Sequence, residues 1–198
     1  MKLILPTTEQ LKKAYCHDLT ASFPPAELKP LEAIERHLAA GRYRPWCLFE
    51  GEELMGEAFL WAVKPGWALL DYLCVTPEQR NAGLGATLIE AMCAAEPHTT
   101  IFAETEAPTW APNPALASRR QGFYRRNGAR FAGFQSCVFG VVYDLIYWSD
   151  EAVPDEILMR EYDAVYRGSF PADKYEKYVQ IPYLPGNKPM PEMPWDEA

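Results

Sequence analysis

The chain has 198 residues, enough for one well-buried domain with appendages and short of two comfortable ones. Its 48% hydrophobic and 13% aromatic content separates it from disordered chains, and a net charge of −8 counts against a sequence-independent grip on nucleic acid. No run reaches the roughly 18 apolar residues of a membrane span, and the apolar stretch from Met1 to Pro6 is too short for a signal peptide. The 5 cysteines (Cys16, Cys47, Cys74, Cys93 and Cys137) are odd in number and show no CxxC or Cys/His clustering. That pattern argues against a disulfide framework or a zinc site and for a reducing, cytoplasmic setting. His17, His37 and His98 are scattered, so no metal is expected.

Leu3 to Leu5 reads as a short first strand. Thr7 and Gln10 form a capping box, after which Leu11, Ala14, Tyr15 and Leu19 recur at helical spacing until Phe23-Pro24-Pro25 interrupts them. Pro30 opens a second helix with Leu31, Ile34 and Leu38 on one face, and Gly41 ends it. Trp46 to Glu50, Leu54 to Val63 and Trp67 to Val75 are strands, joined through hairpin turns at Gly51 and Pro65-Gly66 into an antiparallel meander. A helix follows with Leu84, Leu88, Ala91, Met92 and Ala95 on one face. Ile101 to Glu106 is the next strand, expected parallel to Trp67–Val75 because a helix connects them. Pro108, Pro112 and Pro114 form a loop, and a helix runs from Ala115 to Asn127 before Gly128. Ala129 to Phe134 and Val138 to Trp148 close a mixed sheet.

The last fifty residues differ in composition. Helices are expected at Pro154–Arg167 and Asp173–Val179. Beyond them, Pro182, Pro185, Pro189, Pro191 and Pro194 argue for an extended or disordered tail without regular structure. The domain expectation is therefore 1–148 for the main domain and 149–198 for a helical extension with a Pro-rich tail.

The chemistry concentrates at Val75-Thr76-Pro77-Glu78-Gln79-Arg80-Asn81-Ala82-Gly83-Leu84-Gly85-Ala86. A strand feeds a short turn, and a helix opens at two glycines. Helix N-termini expose unpaired N–H groups and partial positive charge, which suits phosphate. Glycines let an anion approach the backbone, and Arg80 adds a permanent charge suited to phosphate oxygens. A dinucleotide fingerprint fits poorly: Leu88 stands where its third glycine belongs, and hairpins rather than crossovers join the preceding strands.

Arg80-x-x-Gly83-x-Gly85 resembles the acyl-CoA pyrophosphate loop of the GNAT (Gcn5-related N-acetyltransferase) superfamily. Phe123-Tyr124-Arg125-Arg126-Asn127-Gly128-Ala129 resembles the later family segment in which a Tyr precedes a Gly that starts a strand. The element order β-α-α-β-β-β-α-β-α-β-β is also that of the family over residues 1–148. The resemblance implies an α/β (α+β mixed-sheet) GNAT-like acyl-CoA N-acyltransferase fold, with acetyl-CoA as cosubstrate and direct transfer to an amine in a ternary complex.

It further implies that the backbone of Arg80, Asn81, Ala82, Gly83, Leu84, Gly85 and Ala86 holds the pyrophosphate. Main-chain groups of Leu73, Cys74 and Val75 would meet the pantetheine and thioester beside a strand bulge. Tyr124 is the implied acid for the departing thiolate. Arg119 and Arg120, with Arg125, are candidates for the nucleotide 3′-phosphate, although Ala117 stands where many members carry Asn. For the base, Glu104 leads; Asp71 and Glu106 are alternatives, and some members use none.

The acceptor side is read from Phe23, Tyr43, Trp46 and Trp61 with Glu50, Glu52, Glu53 and Glu57. This lining fits a cationic amine on a small molecule or peptide, unless those glutamates face solvent. No nucleic acid or membrane partner is expected, and a homodimer is compatible with the reading. The alternative function is a non-catalytic CoA-binding or protein-interaction module.

Overall fold

The computed structural model describes residues 1–189 apart from Ala26, Asn81, Pro185 and the side chain of Val63. The chain divides into two compact units, Met1–Thr99 and Thr100–Ala198.

The first unit opens with β1 (Lys2–Ile4), one residue earlier than its apolar run suggests. Thr7 then caps α1 (Thr8–Lys13) in a capping box with Gln10, as the sequence predicts. The helix continues through a π-helical segment (Ala14–Leu19) into α2 (Thr20–Ser22) and ends before the prolines. Pro30 is the N-cap of α3 (Leu31–Ala39), with Ile34 as its buried residue, and Gly41 follows at φ 67.

Three strands then run antiparallel: β2 (Tyr43–Glu50), β3 (Glu53–Lys64) and β4 (Trp67–Val75), with β1 on the far side of β2. The last strand has the predicted bounds. Helix α4 (Leu84–Ala95) buries Leu84, Leu88, Ile89 and Met92. A Cβ on Gly56 would meet the Leu88 side chain at 3.4 Å and the Cys74 carbonyl oxygen at 2.8 Å, so this strand residue admits no side chain. Side chains alternate across a strand, so residues 57, 59 and 61 face away from α4, toward the N-terminal helices.

In the second unit, β5 (Thr100–Glu106) pairs with β7 (Val141–Trp148), β7 with β6 (Arg130–Val138), and β6 with β8 (Val179–Tyr183), all antiparallel. Helix α5 (Pro114–Arg126) is capped by the Asn113 side chain. Helices α6 (Asp155–Arg167) and α7 (Ala172–Tyr178) complete the unit. They begin within a residue of expectation.

Two expectations are corrected here. The turn between β6 and β7 is Phe139-Gly140, with φ 50 and φ 89, and Val138 faces Val141 across it. Positive φ at both central residues defines a type I′ hairpin, which Asn-Gly would announce and Phe-Gly does not. The Phe139 ring docks instead on Tyr166 and Phe170, at 5.9 and 5.4 Å between centroids, and this packing offsets the left-handed backbone.

The chain also forms β8 where the prolines argue against regular structure. Register with β6 shifts between Gln135 and Cys137, and Pro182 falls in that irregular stretch of the last strand, where a missing N–H interrupts no ladder bond. Tyr183 packs there with Ala107, Cys137 and Val142. Pro191 and Pro194 lie outside the described residues.

Strand β6 is irregular too, its pairing with β7 shifting between Phe131 and Gln135. Within this stretch the Gly133 N–H donates to Asp155 Oδ1 (3.0 Å), and a Cβ on Gly133 would overlap the other Asp155 oxygen. Gly133→Ala is therefore expected to displace the exposed carboxylate and destabilise the chain by about 1 kcal/mol, read by urea unfolding. Unchanged stability would show that Asp155 can move at no cost.

Candidate functional site

The loop after β4 starts with a 3-10 turn (Pro77–Gln79), closed by the Gln79 N–H donating to the Thr76 carbonyl at 2.9 Å. Gly83 is the N-cap of α4 at φ 81, ψ −3. A Cβ there would meet nothing within 4 Å, so the requirement for glycine is conformational. Gly85 lies in the first turn of the helix. The Ala86 N–H donates to the Gly83 carbonyl at 3.1 Å, whereas Gly83, Leu84 and Gly85 precede any intrahelical acceptor. Their amides, with exposed Ala82 beside them, are donors an anion can use.

Arg80 is exposed, and its guanidinium reaches the Ser22 hydroxyl (2.8 Å) and the Val75 carbonyl (3.4 Å). It ties the end of α2 to the end of β4 at the foot of the loop. Asn81 lies outside the described residues.

Leu73 and Val75 are half-buried and Cys74 is buried. A bulge does interrupt this strand: Phe59 faces Tyr72 and Leu60 faces Leu70, leaving Asp71 as the extra residue. Asp71, one of the base alternatives, is held in a buried pair. Lys29 Nζ approaches its Oδ1 at 2.6 Å and the Tyr43 hydroxyl donates to Oδ2 at 2.5 Å.

A feature the sequence reading missed lies behind Cys74. Its thiol donates to Glu57 Oε2 at 3.4 Å, directly across the β3–β4 pair. Glu57 is fully buried, and its Oε1 has no partner among the described residues. Burial, followed by the charge of Asp18, pushes its carboxyl up to about 9, while burial also pushes the Cys47 and Cys74 thiols up. Asp18 is itself buried, on the π-helical segment, with His17 Nδ1 at 2.7 Å and the Thr76 hydroxyl at 3.4 Å. A proton on Glu57 resolves both the orphaned oxygen and the contact between two acids. The other acceptor-side acids, Glu50, Glu52 and Glu53, are exposed.

The aromatic residues expected near the acceptor separate by strand parity. Tyr43 and Trp61 face each other and join Phe59, Tyr72 and Phe23; Phe23 meets Tyr72 edge-on at 5.0 Å. Trp46 points to the opposite face, where its indole N–H donates to Glu96 Oε1 (2.7 Å) beside the Arg44 pair.

In the second unit, Tyr124 is half-buried on α5 with its ring edge-on to Trp148 at 5.9 Å. Its hydroxyl makes no hydrogen bond among the described residues. Burial raises its pKa, a shift that the Arg120 charge opposes. The phenol therefore stays protonated at neutral pH, as a proton donor must.

Arg120 pairs with Glu106 at 2.8 Å, Arg125 stacks 3.7 Å above the Phe131 ring, and Arg119 is exposed. The Glu104 carboxylate accepts from both Tyr162 and Tyr166 of α6, the latter at 2.5 Å. Ile101 pairs with Trp148, and Thr105 pairs with Asp144, which Gln121 of α5 contacts at 2.6 Å. Residues of one parity on β5 thus face α5, and Glu104, of the other parity, faces α6. Tyr124 and Glu104 consequently stand on opposite faces of this strand set. The two phenol contacts from the C-terminal extension had no signal in the sequence beyond the apolar stripe of α6.

Residues 41–128 match the family described as the acetyltransferase (GNAT) domain. No curated protein matches the chain by sequence. Among solved structures, a protein described as a GNAT-family acetyltransferase from Bacteroides thetaiotaomicron superposes with TM-score 0.65 at 19% identity, over 82% of this chain and 94% of its own. The ribosomal-protein-S18-alanine N-acetyltransferase from Escherichia coli gives 0.56 at 16% identity, over 78% and 96%. A GNAT family acetyltransferase from Elizabethkingia anophelis, solved with acetyl-CoA bound, gives 0.51 at 11%, over 75% and 97%. At these identities the structural likeness defines the fold, that of the acyl-CoA N-acyltransferases. The sequence likeness adds that residues 41–128, under half of the chain, are similar to the acetyltransferase (GNAT) domain.

Proposed function

We propose that the protein is an N-acetyltransferase that moves an acetyl group from acetyl-CoA to a primary amine within a ternary complex. The observation that carries this reading is left-handed Gly83 at the mouth of α4, inside the family-matched segment, with the amides of Gly83, Leu84 and Gly85 ahead of any intrahelical acceptor and so available to an anion. Acetyl-CoA fits those donors through its diphosphate, and it supplies the activated acetyl carbon.

The residues act as follows. The loop from Arg80 to Ala86 binds the diphosphate, and the main chain of Leu73, Cys74 and Val75 orients the pantetheine and thioester. Arg119 would pair with the 3′-phosphate. Arg120 shares that task once it releases Glu106. The acceptor ammonium gives one proton to solvent, its nitrogen forms the new C–N bond as the C–S bond breaks, and the nitrogen then gives a second proton to solvent to become the amide. The departing thiolate takes the Tyr124 proton, which solvent then replaces. Glu104 serves as base only when the phenols of Tyr162 and Tyr166 release it, so its first task in this reading is to anchor α6.

Residues 1–148 form the catalytic domain in this account, and 149–198 are an appended layer. The acceptor is a small-molecule or peptide amine, and the setting is cytoplasmic. No helix among the described residues is long and apolar enough to cross a membrane.

The test is thiol release from acetyl-CoA across a panel of primary amines. Amine-dependent release is expected for at least one of them. CoA binding without release on any amine would favour the non-catalytic module instead.

A further inference from the structure

Of the aromatic lining expected for a cationic acceptor, Phe23, Tyr43 and Trp61 are gathered on the side of β2, β3 and β4 that faces the N-terminal helices, and an amine lies among them beside Asp71. Lys29 Nζ lies 2.6 Å from Asp71 Oδ1, 4.7 Å from the Trp61 ring centroid and 5.6 Å from that of Tyr72. The Tyr43 hydroxyl holds the other Asp71 oxygen. His37 closes the group against Trp61 at 5.2 Å, and its pKa is lowered by burial and then by Lys29, which keeps the imidazole neutral. A carboxylate with two ring faces converging on one ammonium is the arrangement that proteins use to recognise amine ligands.

We infer that this box is the recognition site for an unbranched primary alkylammonium acceptor, and that the Lys29 side chain is its internal competitor. The inference rests on the acetyltransferase reading and adds the substrate class to it.

Three observations separate this from a purely structural ion pair. A buried pair of this kind adds little net stability over well-packed apolar residues, so stability alone does not account for it. The bulge in β4 makes Asp71 the extra residue, and bulges re-aim side chains beside functional sites.

The third concerns what holds Lys29. Its backbone N–H donates to the Tyr72 hydroxyl at 2.8 Å, and its carbonyl accepts from the Tyr15 hydroxyl at 2.9 Å. These bonds fix the main chain independently of Nζ. The flexible four-carbon stem can therefore swing out by rotamer changes and leave the box intact behind it.

The experiment titrates n-butylamine hydrochloride by calorimetry into the full wild-type chain, Lys29→Ala, Lys29→Met and Lys29→Ala/Asp71→Asn. Lys29→Ala is expected to bind at least about tenfold more tightly than wild type, the scale of a desolvated cation–π and carboxylate site. The added Asp71→Asn change should abolish that gain. Lys29→Met refills the box with its own stem and should bind as weakly as wild type. With acetyl-CoA present, KM for n-butylamine should fall in Lys29→Ala by the same factor.

Should Lys29→Ala melt too low for calorimetry, its thermal stabilisation by n-butylamine reads the same site. Equal affinity in the Ala and Met variants, or a gain indifferent to Asp71, would overturn the inference. Amine-dependent thiol release with no change on Lys29→Ala would overturn it while leaving the transferase standing. Binding in the expected pattern with no thiol release in any variant would keep the box and remove the transferase.

Discussion

Tyr124→Phe is expected to lower acetyl transfer by about a hundredfold or more, the usual range for removing a positioned proton donor, and to leave CoA affinity within about twofold. The hydroxyl has no partner among the described residues, so its loss should not disturb the fold. The ring still packs edge-on against Trp148 in the variant, which keeps α5 in place. Because burial raises the phenol's pKa above 10.0, no alkaline loss of activity below that pH should trace to this residue. Turnover in the variant equal to wild type, at saturating acetyl-CoA, would remove Tyr124 from the mechanism.

Glu57→Gln makes the chain more resistant to unfolding at alkaline pH. The group faces Cys47 on β2, Cys74 on β4 and Asp18 on the π-helical segment, all buried. Its carboxyl titrates at about 9 in the folded chain against an ordinary 4.5. Between those values the folded state holds a proton that the unfolded state has released. The stabilisation is complete below the lower value and is lost as pH rises through the upper one. Within that window the loss reaches up to about 1.4 kcal/mol per pH unit.

Glutamine mimics the protonated acid and has nothing to lose, so its stability should lack this descent. Urea unfolding at about pH 6 and about pH 8.5 measures the difference. Parallel pH dependences for wild type and variant would mean that Glu57 is ionised when folded and that the orphaned oxygen has another explanation.

The chemistry of this chain was legible where a local rule fixes it. Thr7 and Gln10 announce a capping box that forms as written. The glycines after β4 announce a helix start, and α4 opens there, although Gly83 is needed for its left-handed φ of 81 rather than for the steric room expected of it. Period-two alternation also suffices to part Trp46 from Tyr43 and Trp61, although composition alone grouped them.

What stayed hidden depends on distant partners. Nothing local reports that a π turn would bury Asp18 against Glu57, or that Asp71 would be the bulged residue aimed at Lys29. Phe139-Gly140 lacks the Asn-Gly signature because tertiary packing on Tyr166 and Phe170 holds the turn. Pro182 argued against a strand, yet the irregular register of β8 accommodates it. The Tyr162 and Tyr166 contacts to Glu104 join positions far apart in sequence, and only folding brings them together.

The central claim is that main-chain donors at the start of α4 grip the diphosphate of acetyl-CoA. Calorimetric titration of CoA into wild type and Gly85→Glu tests it most directly. An acidic residue in a helix's first turn favours the helix, so the variant should fold, while its carboxylate stands where the diphosphate belongs. The account predicts saturable CoA binding by wild type and none measurable by Gly85→Glu. Equal affinity in the two proteins would contradict it.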